Sequence, residues 1–169
     1  MSLPASILVG VSGKTVHAKV QGKGSFQNSP ALKEFTRRML DRGYRTFVVD
    51  LTDCSVMDST FMGTLAGIAL RLREAQSGSL RVRNVNERNY ELLRNLGLDN
   101  LFQIESAEGH EAVAEPAMLP NQPVVSKADH AECMITAHEA LVDADPENLA
   151  RFKDVLEYLR QDLRVGVGR

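Results

Sequence analysis

The order of strand-like and helix-like segments is the feature that most constrains the fold of this 169-residue chain. Apolar residues alternate with other residues over 7–11 and again over 16–20, which predicts two paired strands with one buried face each. The β-branched run TFVVDL at 46–51 is typical of a central strand buried on both faces. Helical stripes of apolar residues follow around 30–40 and 62–72. Strands that alternate with helices in this way predict an α/β layer whose first two strands form an antiparallel hairpin.

The pattern continues over the next forty residues. A further strand is predicted over 80–85, followed by a helix from Asn86 that Gly97 closes as a left-handed C-cap. A short strand over 101–104 and a helix over 109–117 complete the unit. We therefore predict an α/β fold, a mixed sheet of about five strands with helices packed on it.

The last third of the chain differs in character. Pro116, Pro120 and Pro123 exclude a helix or a central strand between them, so they predict a semi-rigid linker. Beyond it, apolar residues recur at helical spacing in two segments that meet at a tight connection, which predicts a C-terminal αα-hairpin. The predicted organisation is a core domain over 1–118, a proline-rich linker over 119–125 and the helical hairpin over 126–165.

Composition excludes several classes of protein. A net charge of −2 gives no reason to expect direct binding of nucleic acid. No run of 18 apolar residues is present, so we predict no membrane insertion. Cys54 and Cys133 lie far apart and outside any CxxC pattern, which favours reduced thiols. With no signal-peptide pattern at the start of the sequence, these features predict a cytoplasmic protein.

The stretch CSVMDSTFMG at 54–63 joins the central strand to the second helix, and it leaves two interpretations open. In the first, Asp58, Ser59 and Thr60 cap the helix, since such side chains satisfy its free backbone N–H groups. In the second, the hydroxyls are functional. A phosphate at this position would meet the free N–H groups and the positive end of the helix dipole.

Catalysis by this junction is not favoured. A nucleophilic serine needs a base and an orienting group within reach, and none of the four histidines lies in a motif next to Ser59. The Gly-x-Ser-x-Gly motif of hydrolases is absent from the sequence. We therefore predict that the chain is not an enzyme.

No cofactor or metal is predicted. His130, Glu132, Cys133 and His138 are the only cluster with ligand chemistry, but the two histidines are eight residues apart on a predicted helix. That spacing is about two turns, too far to share one ion, and His138 falls on the apolar face. The glycines in QGKGSFQ match no phosphate-binding signature.

Three stretches together resemble the STAS domain family, which includes bacterial anti-sigma factor antagonists. The central one is TFVVDLTDCSVMDSTFMGTLAGIALRLRE, with VQGKGSFQNSPALKEF before it and LLRNLGLDNLFQI after it. The resemblance covers residues 5–117 and rests most specifically on the Asp-Ser-Thr junction at the start of the helix. It implies that the predicted core domain is a STAS-like mixed sheet with helices packed on it.

The resemblance also implies a mechanism of partner switching. In that family the serine after the aspartate is phosphorylated by a partner kinase that is also the anti-sigma factor, and a phosphatase reverses the modification. Carried over by position, the phosphorylated residue is Ser59. The residues implied to contact the partner are Asp58, Thr60, Phe61 and Met62.

One departure from the family pattern is Phe61, which stands where the family usually has glycine. The ring could pack inward, or it could be an exposed anchor for a different partner. The second possibility supports an alternative function, a constitutive scaffold or accessory subunit of a stress-signalling assembly or lipid transporter that phosphorylation does not regulate. The leucine-rich second tail helix could also join two copies of the chain as a homodimer.

Overall fold

The computed structural model describes residues 5–105, 116–119 and 126–167, with side chains up to residue 164. These residues form seven strands and five helices in the following order: β1 (Ser6–Ser12), β2 (Thr15–Gly24), α1 (Ser29–Asp41), β3 (Thr46–Asp50), β4 (Cys54–Met57), α2 (Ser59–Glu74), β5 (Ser79–Arg83), α3 (Glu87–Asn95), a 3-10 turn (Leu98–Asn100), β6 (Gln103–Ile104), β7 (Ala117–Met118), α4 (Lys127–Ala144) and α5 (Asn148–Val167). None of the described helices combines the length and the apolar character needed to cross a membrane.

The seven strands belong to one mixed sheet in the order β6-β5-β3-β2-β1-β7, and β4 pairs with β2 outside this path. The pair β1–β2 is antiparallel, whereas β2, β3, β5 and β6 run parallel to one another. The predicted mixed α/β sheet, its antiparallel hairpin and the C-terminal pair of helices are therefore confirmed.

Two strands, β4 and β7, were not predicted, and β7 includes Ala117, the last residue of the helix expected over 109–117. Ala117 and Met118 form β7, which pairs with Val9 and Leu8 of β1. Most of that predicted helix, and all of the predicted linker except Leu119, lies outside the described residues. The division into a core domain, a linker and a hairpin stays a prediction.

Strand β2 bends, and the bend positions the junction before α2. Its first residues pair with β3 and its last three pair with β4, with a register shift between Gly22 and Lys23. Gly22 has a φ of +80°, a conformation that glycine adopts at little cost. Because β4 lies beside the end of β2, the loops that follow the two strands meet.

Helix α2 lies at the centre of the molecule. Ten of its sixteen residues are buried. No charged residue occurs between Ser59 and Leu70, which is typical of a helix covered on more than one side. The sheet and α4 provide that cover, and the side chains of Ala140 and Leu141 from α4 belong to the main hydrophobic core.

The hairpin also has a small core of its own. Ile135 of α4 packs with Leu156 and Leu159 of α5. The Ser126 hydroxyl accepts a hydrogen bond from the Asp129 amide at 3.1 Å and so caps α4. Helix α4 thus covers the side of α5 that carries Leu156 and Leu159. Among the side chains of α5 described up to residue 164, the large apolar ones at the surface are Leu149, Val155 and Tyr158.

Phe61 packs inward, which decides between the two interpretations of this residue. Its side chain is 0% exposed. A Cβ atom placed on Gly24 would lie 2.8 Å from Cδ1 of the Phe61 ring, closer than carbon atoms approach in folded proteins. The absence of a side chain at position 24 therefore makes room for the large side chain at position 61.

We expect Gly24→Ala to lower the free energy of unfolding by about 1–3 kcal/mol, because the added methyl group overpacks the core against the Phe61 ring. Phe61→Leu should relieve this clash, so the double variant should lose less than the sum of the two single losses. Urea denaturation of the wild type, the two single variants and the double variant, followed by circular dichroism, gives the coupling free energy between positions 24 and 61. Strictly additive losses would show that the two positions do not compete for the same space.

Candidate functional site

Asp58 is the N-cap of α2. Its backbone is extended (φ −90°, ψ 174°), and its Oδ1 atom accepts a hydrogen bond from the Phe61 amide at 2.8 Å. The Asp58 carbonyl accepts the first intrahelical bond, from the Met62 amide at 3.1 Å. These bonds satisfy donors that the helix itself leaves free, so the capping interpretation of the junction is correct for Asp58.

The same residue joins the junction to the loop between β2 and α1. The Asp58 amide donates to the Gly24 carbonyl at 2.9 Å, and Oδ2 of Asp58 accepts from the Phe26 amide at 2.9 Å. The two carboxylate oxygens thus bind backbone amides in two different segments, the first turn of α2 and the loop after β2. Asp58 fixes the position of the first turn of α2 relative to the sheet.

Ser59 is the first residue of α2, and its hydroxyl contacts the C-terminal hairpin. Its Oγ atom lies 2.9 Å from Nε2 of His138 in α4, and Nδ1 of His138 lies 2.6 Å from the Met134 carbonyl. Because a carbonyl oxygen only accepts, Nδ1 carries the imidazole hydrogen and Nε2 accepts the hydroxyl hydrogen of Ser59. The expectation that no histidine faces Ser59 is therefore wrong, since 79 residues separate two side chains that tertiary packing brings together.

This Ser–His pair differs from a catalytic one in what surrounds it. The imidazole is oriented by a backbone carbonyl rather than by a carboxylate, and the Phe61 amide is occupied by Asp58. His138 is 3% exposed, and the Phe152 ring packs on it edge-on with 5.0 Å between ring centroids. The arrangement suits a packed hydrogen bond between two helices better than attack on a substrate.

The residues predicted to contact a partner are mostly buried. Asp58 and Ser59 are partly exposed, whereas Thr60 and Met62 are 5% exposed and Phe61 is 0% exposed. Their side chains lie in the core because α2 is covered by the sheet and by α4. In this structure Thr60, Phe61 and Met62 thus offer a partner little side-chain surface, and their contact with a partner stays a prediction.

The side chains of α4 that were considered as metal ligands, those of His130, Glu132, Cys133 and His138, do not form a metal site in this structure. Within the described parts of the chain, no three His, Cys, Asp or Glu side chains lie close enough to hold a metal ion. His130 packs near the ring of Phe26 instead, with 6.2 Å between centroids. Burial raises the pKa of the Cys133 thiol, which favours its protonated form at neutral pH.

The turn that leads from β3 towards the site is held by Asp50. Burial acts to raise the pKa of this carboxyl, but hydrogen bonds from the Thr52 hydroxyl and amide and from the Asn84 side chain outweigh it and leave the pKa lowered. Asp50 therefore stays ionised at neutral pH and keeps accepting these bonds.

We expect Asp58→Ala to lower the free energy of unfolding by about 1–2 kcal/mol, because the cap and the bond to Phe26 are both lost. Asp58→Asn should lose less, since one amide oxygen can still cap the helix. Asp53→Ala, in the loop before β4, is the control, because its ion pair with Lys19 is partly exposed and contributes little. Urea denaturation compares the three variants, and equal losses in Asp58→Ala and Asp53→Ala would contradict this role for Asp58.

Comparisons with known proteins identify the family. The family model described as the STAS domain matches residues 7–111, more than half of the chain. No curated protein matches significantly.

Several solved structures share the fold. The crystal structure of an anti-sigma factor antagonist from Thermotoga maritima superimposes with a TM-score of 0.55 at 19% identity, over 59% of this chain and 85% of that one. The anti-sigma factor antagonist SpoIIAA in its unphosphorylated form gives a TM-score of 0.51 at 20% identity, over 62% of this chain and 90% of that one. At these identities the likeness shows the fold alone. With the match of the family model over residues 7–111, this chain belongs to the STAS domain family.

Proposed function

We propose that this chain is a regulatory module of the anti-sigma factor antagonist type. It binds a partner that is both an anti-sigma factor and a serine kinase, and phosphorylation of Ser59 switches this binding off. The observation that carries the proposal is the place of Ser59, a partly exposed serine that directly follows the N-cap and opens α2. The similar structures from Thermotoga maritima and of SpoIIAA, both described as anti-sigma factor antagonists, support it.

The start of α2 suits a phosphate group physically. The amides of Ser59 and Thr60, the first two of the helix, have no acceptor within it because of their position. They and the positive end of the helix dipole favour a negative charge at this point. A phosphate adds about −1.5 to −2 charges beside the Asp58 carboxylate, which changes the surface that a partner meets.

In the proposed cycle the partner supplies the chemistry. The γ-phosphoryl group of ATP is transferred to Ser59 Oγ, the bond to ADP breaks, and the hydroxyl proton leaves. A phosphatase hydrolyses the ester and restores the serine. The chain itself acts as a cytoplasmic binding module rather than an enzyme, and it influences transcription through a sigma factor rather than by direct contact with nucleic acid.

Within this proposal the residues of the junction have different roles. Asp58 and Ser59 are the ones that a partner can reach, because both are partly exposed. Thr60, Phe61 and Met62 act from the interior, where they set the position of the first turn of α2.

Mass spectrometry after incubation with ATP and each serine kinase of the anti-sigma factor type from the same organism tests the proposal. We expect one phosphate on the wild-type protein and none on Ser59→Ala. Ser55→Ala is the matched control, because Ser55 is an exposed serine in the adjoining strand β4 and should not affect modification. Ser59→Asp should weaken binding to the kinase at least tenfold by imitating the charge. The proposal fails if Ser59 acquires no phosphate and Ser59→Asp binds as the wild type does.

A constitutive scaffold or accessory subunit is the second candidate function, and one observation favours it. The Ser59 hydroxyl is engaged by His138 beneath the hairpin, as it would be in a protein whose serine is never modified. The apolar side chains that remain exposed on α5 would then pair with a second copy of the chain as a homodimer.

Light scattering after size-exclusion chromatography tests this homodimer. If α5 forms the interface, the wild type should have twice the chain mass and Tyr158→Glu should have the mass of one chain. Tyr90→Glu is the control, since Tyr90 is an exposed aromatic residue on α3, away from α5. A wild-type protein with the mass of a single chain would exclude the dimer.

A further inference from the structure

We propose that the C-terminal hairpin masks Ser59. Helix α4 closes over the start of α2 within the same chain and engages the partly exposed Ser59 through its hydroxyl, so the hairpin must swing away before a kinase can align Ser59 Oγ with ATP. This inference rests on the proposed function, because a mask has a role only if Ser59 accepts a phosphate.

The first contact that masks the serine is its own hydrogen bond. Ser59 donates its hydroxyl hydrogen to Nε2 of His138 at 2.9 Å, so the atom that would attack ATP is engaged from the side of α4. The imidazole cannot turn aside easily, since Nδ1 is bound to the Met134 carbonyl and Phe152 packs on the ring. A kinase must place Ser59 Oγ in line with the γ-phosphate, and that position requires His138 to leave.

The second contact lies one turn further along α2. A Cβ atom on Gly63 would overlap the backbone carbonyl of Ala137, so the backbone of α4 rests directly on α2 at this point. At Gly67, the next glycine along the helix, a Cβ atom would lie 3.8 Å from Cβ of Ala140, an ordinary van der Waals distance. A methyl group at position 63 would therefore displace α4, whereas a methyl group at position 67 of the same helix would not.

A third contact fixes the connection between α4 and α5. The Asn148 side chain is buried, and its Nδ2 atom donates to the Leu96 carbonyl at 2.9 Å and to the Leu141 carbonyl at 2.8 Å. The Leu96 bond ties the hairpin to the turn after α3, on the core of the protein. If the hairpin leaves, Asn148 loses the Leu96 carbonyl and keeps the Leu141 carbonyl, which moves with it, so the Leu96 bond favours the closed arrangement.

The hairpin is nevertheless built to separate as a unit. Ile135, Leu156 and Leu159 form a core between α4 and α5 that would persist in the open state. A surface groove of about 450 Å³ separates α4 from α1, and a cavity of about 60 Å³ remains between α4 and α2 beside Gly63 and Gly67. Helix α4 is therefore held mainly along one face of α2.

Thiol labelling of the full chain tests the mask without a partner. Ser59→Cys is treated with N-ethylmaleimide, and mass spectrometry of the peptides gives the rate at each cysteine. Cys54 is buried in the core and has a raised pKa caused by its burial, so it stays unlabelled unless the whole protein unfolds. Gly63→Ala and Gly67→Ala are compared in this background as a matched pair.

We expect Gly63→Ala to raise the labelling rate at position 59 at least tenfold, because the methyl group displaces α4. Gly67→Ala should stay within twofold of the parent, although both changes improve helix propensity alike. Asn148→Ala provides a second way to loosen the hairpin and should also raise the rate. If neither Gly63→Ala nor Asn148→Ala raises the rate, Ser59 is not masked and the proposal is overturned.

The kinase assay distinguishes failure of the mask from failure of the proposed function. With Ser59 restored, Gly63→Ala should be phosphorylated at least tenfold faster than Gly67→Ala, since the apparent rate follows the fraction of open molecules. Equal phosphorylation of both variants overturns the mask and leaves the proposed function intact. No phosphate on Ser59 in either variant, together with faster labelling in Gly63→Ala, overturns the proposed function and leaves the closed hairpin as a structural feature.

Discussion

The carboxylate of Asp58 is the interaction on which the candidate site depends. One oxygen caps α2 through the Phe61 amide and the other holds the Phe26 amide, so a single side chain joins the first turn of α2 to the loop after β2. These segments lie side by side because the end of β2 pairs with β4 after the register shift at Gly22. The direction in which α2 starts, and with it the place of Ser59, follows from this set of backbone bonds.

The sequence predicted those strands and helix ends whose structure is determined by residues close to them in the chain. The β-branched run of β3 and the left-handed Gly97 after α3 were both identified, because each depends on neighbouring residues. The short strands β4 and β7 were missed, since two to four residues carry no periodicity and become strands only by pairing with a distant partner.

The candidate site was predictable in position but not in its surroundings. The junction from Asp58 to Thr60 could be located from a capping pattern, whereas the contact between Ser59 and His138 spans 79 residues and leaves no local trace. One signal could have warned that Phe61 and Met62 are interior. The start of α2 carries no charge on any face, which indicates a helix covered on both sides rather than an exposed docking surface.

The covalent link between α4 and the core has a consequence for how tightly any other protein must bind the face of α2. A segment tethered within the same chain acts at an effective concentration in the millimolar range. A competitor present at about 1 μM would therefore need an intrinsic affinity about a thousandfold higher than that of α4 to occupy half of the molecules. Affinities measured on a chain that lacks the hairpin would therefore overstate how tightly the intact protein binds. The strength of the contact between α2 and α4 would set the partner concentration at which half of the molecules are bound.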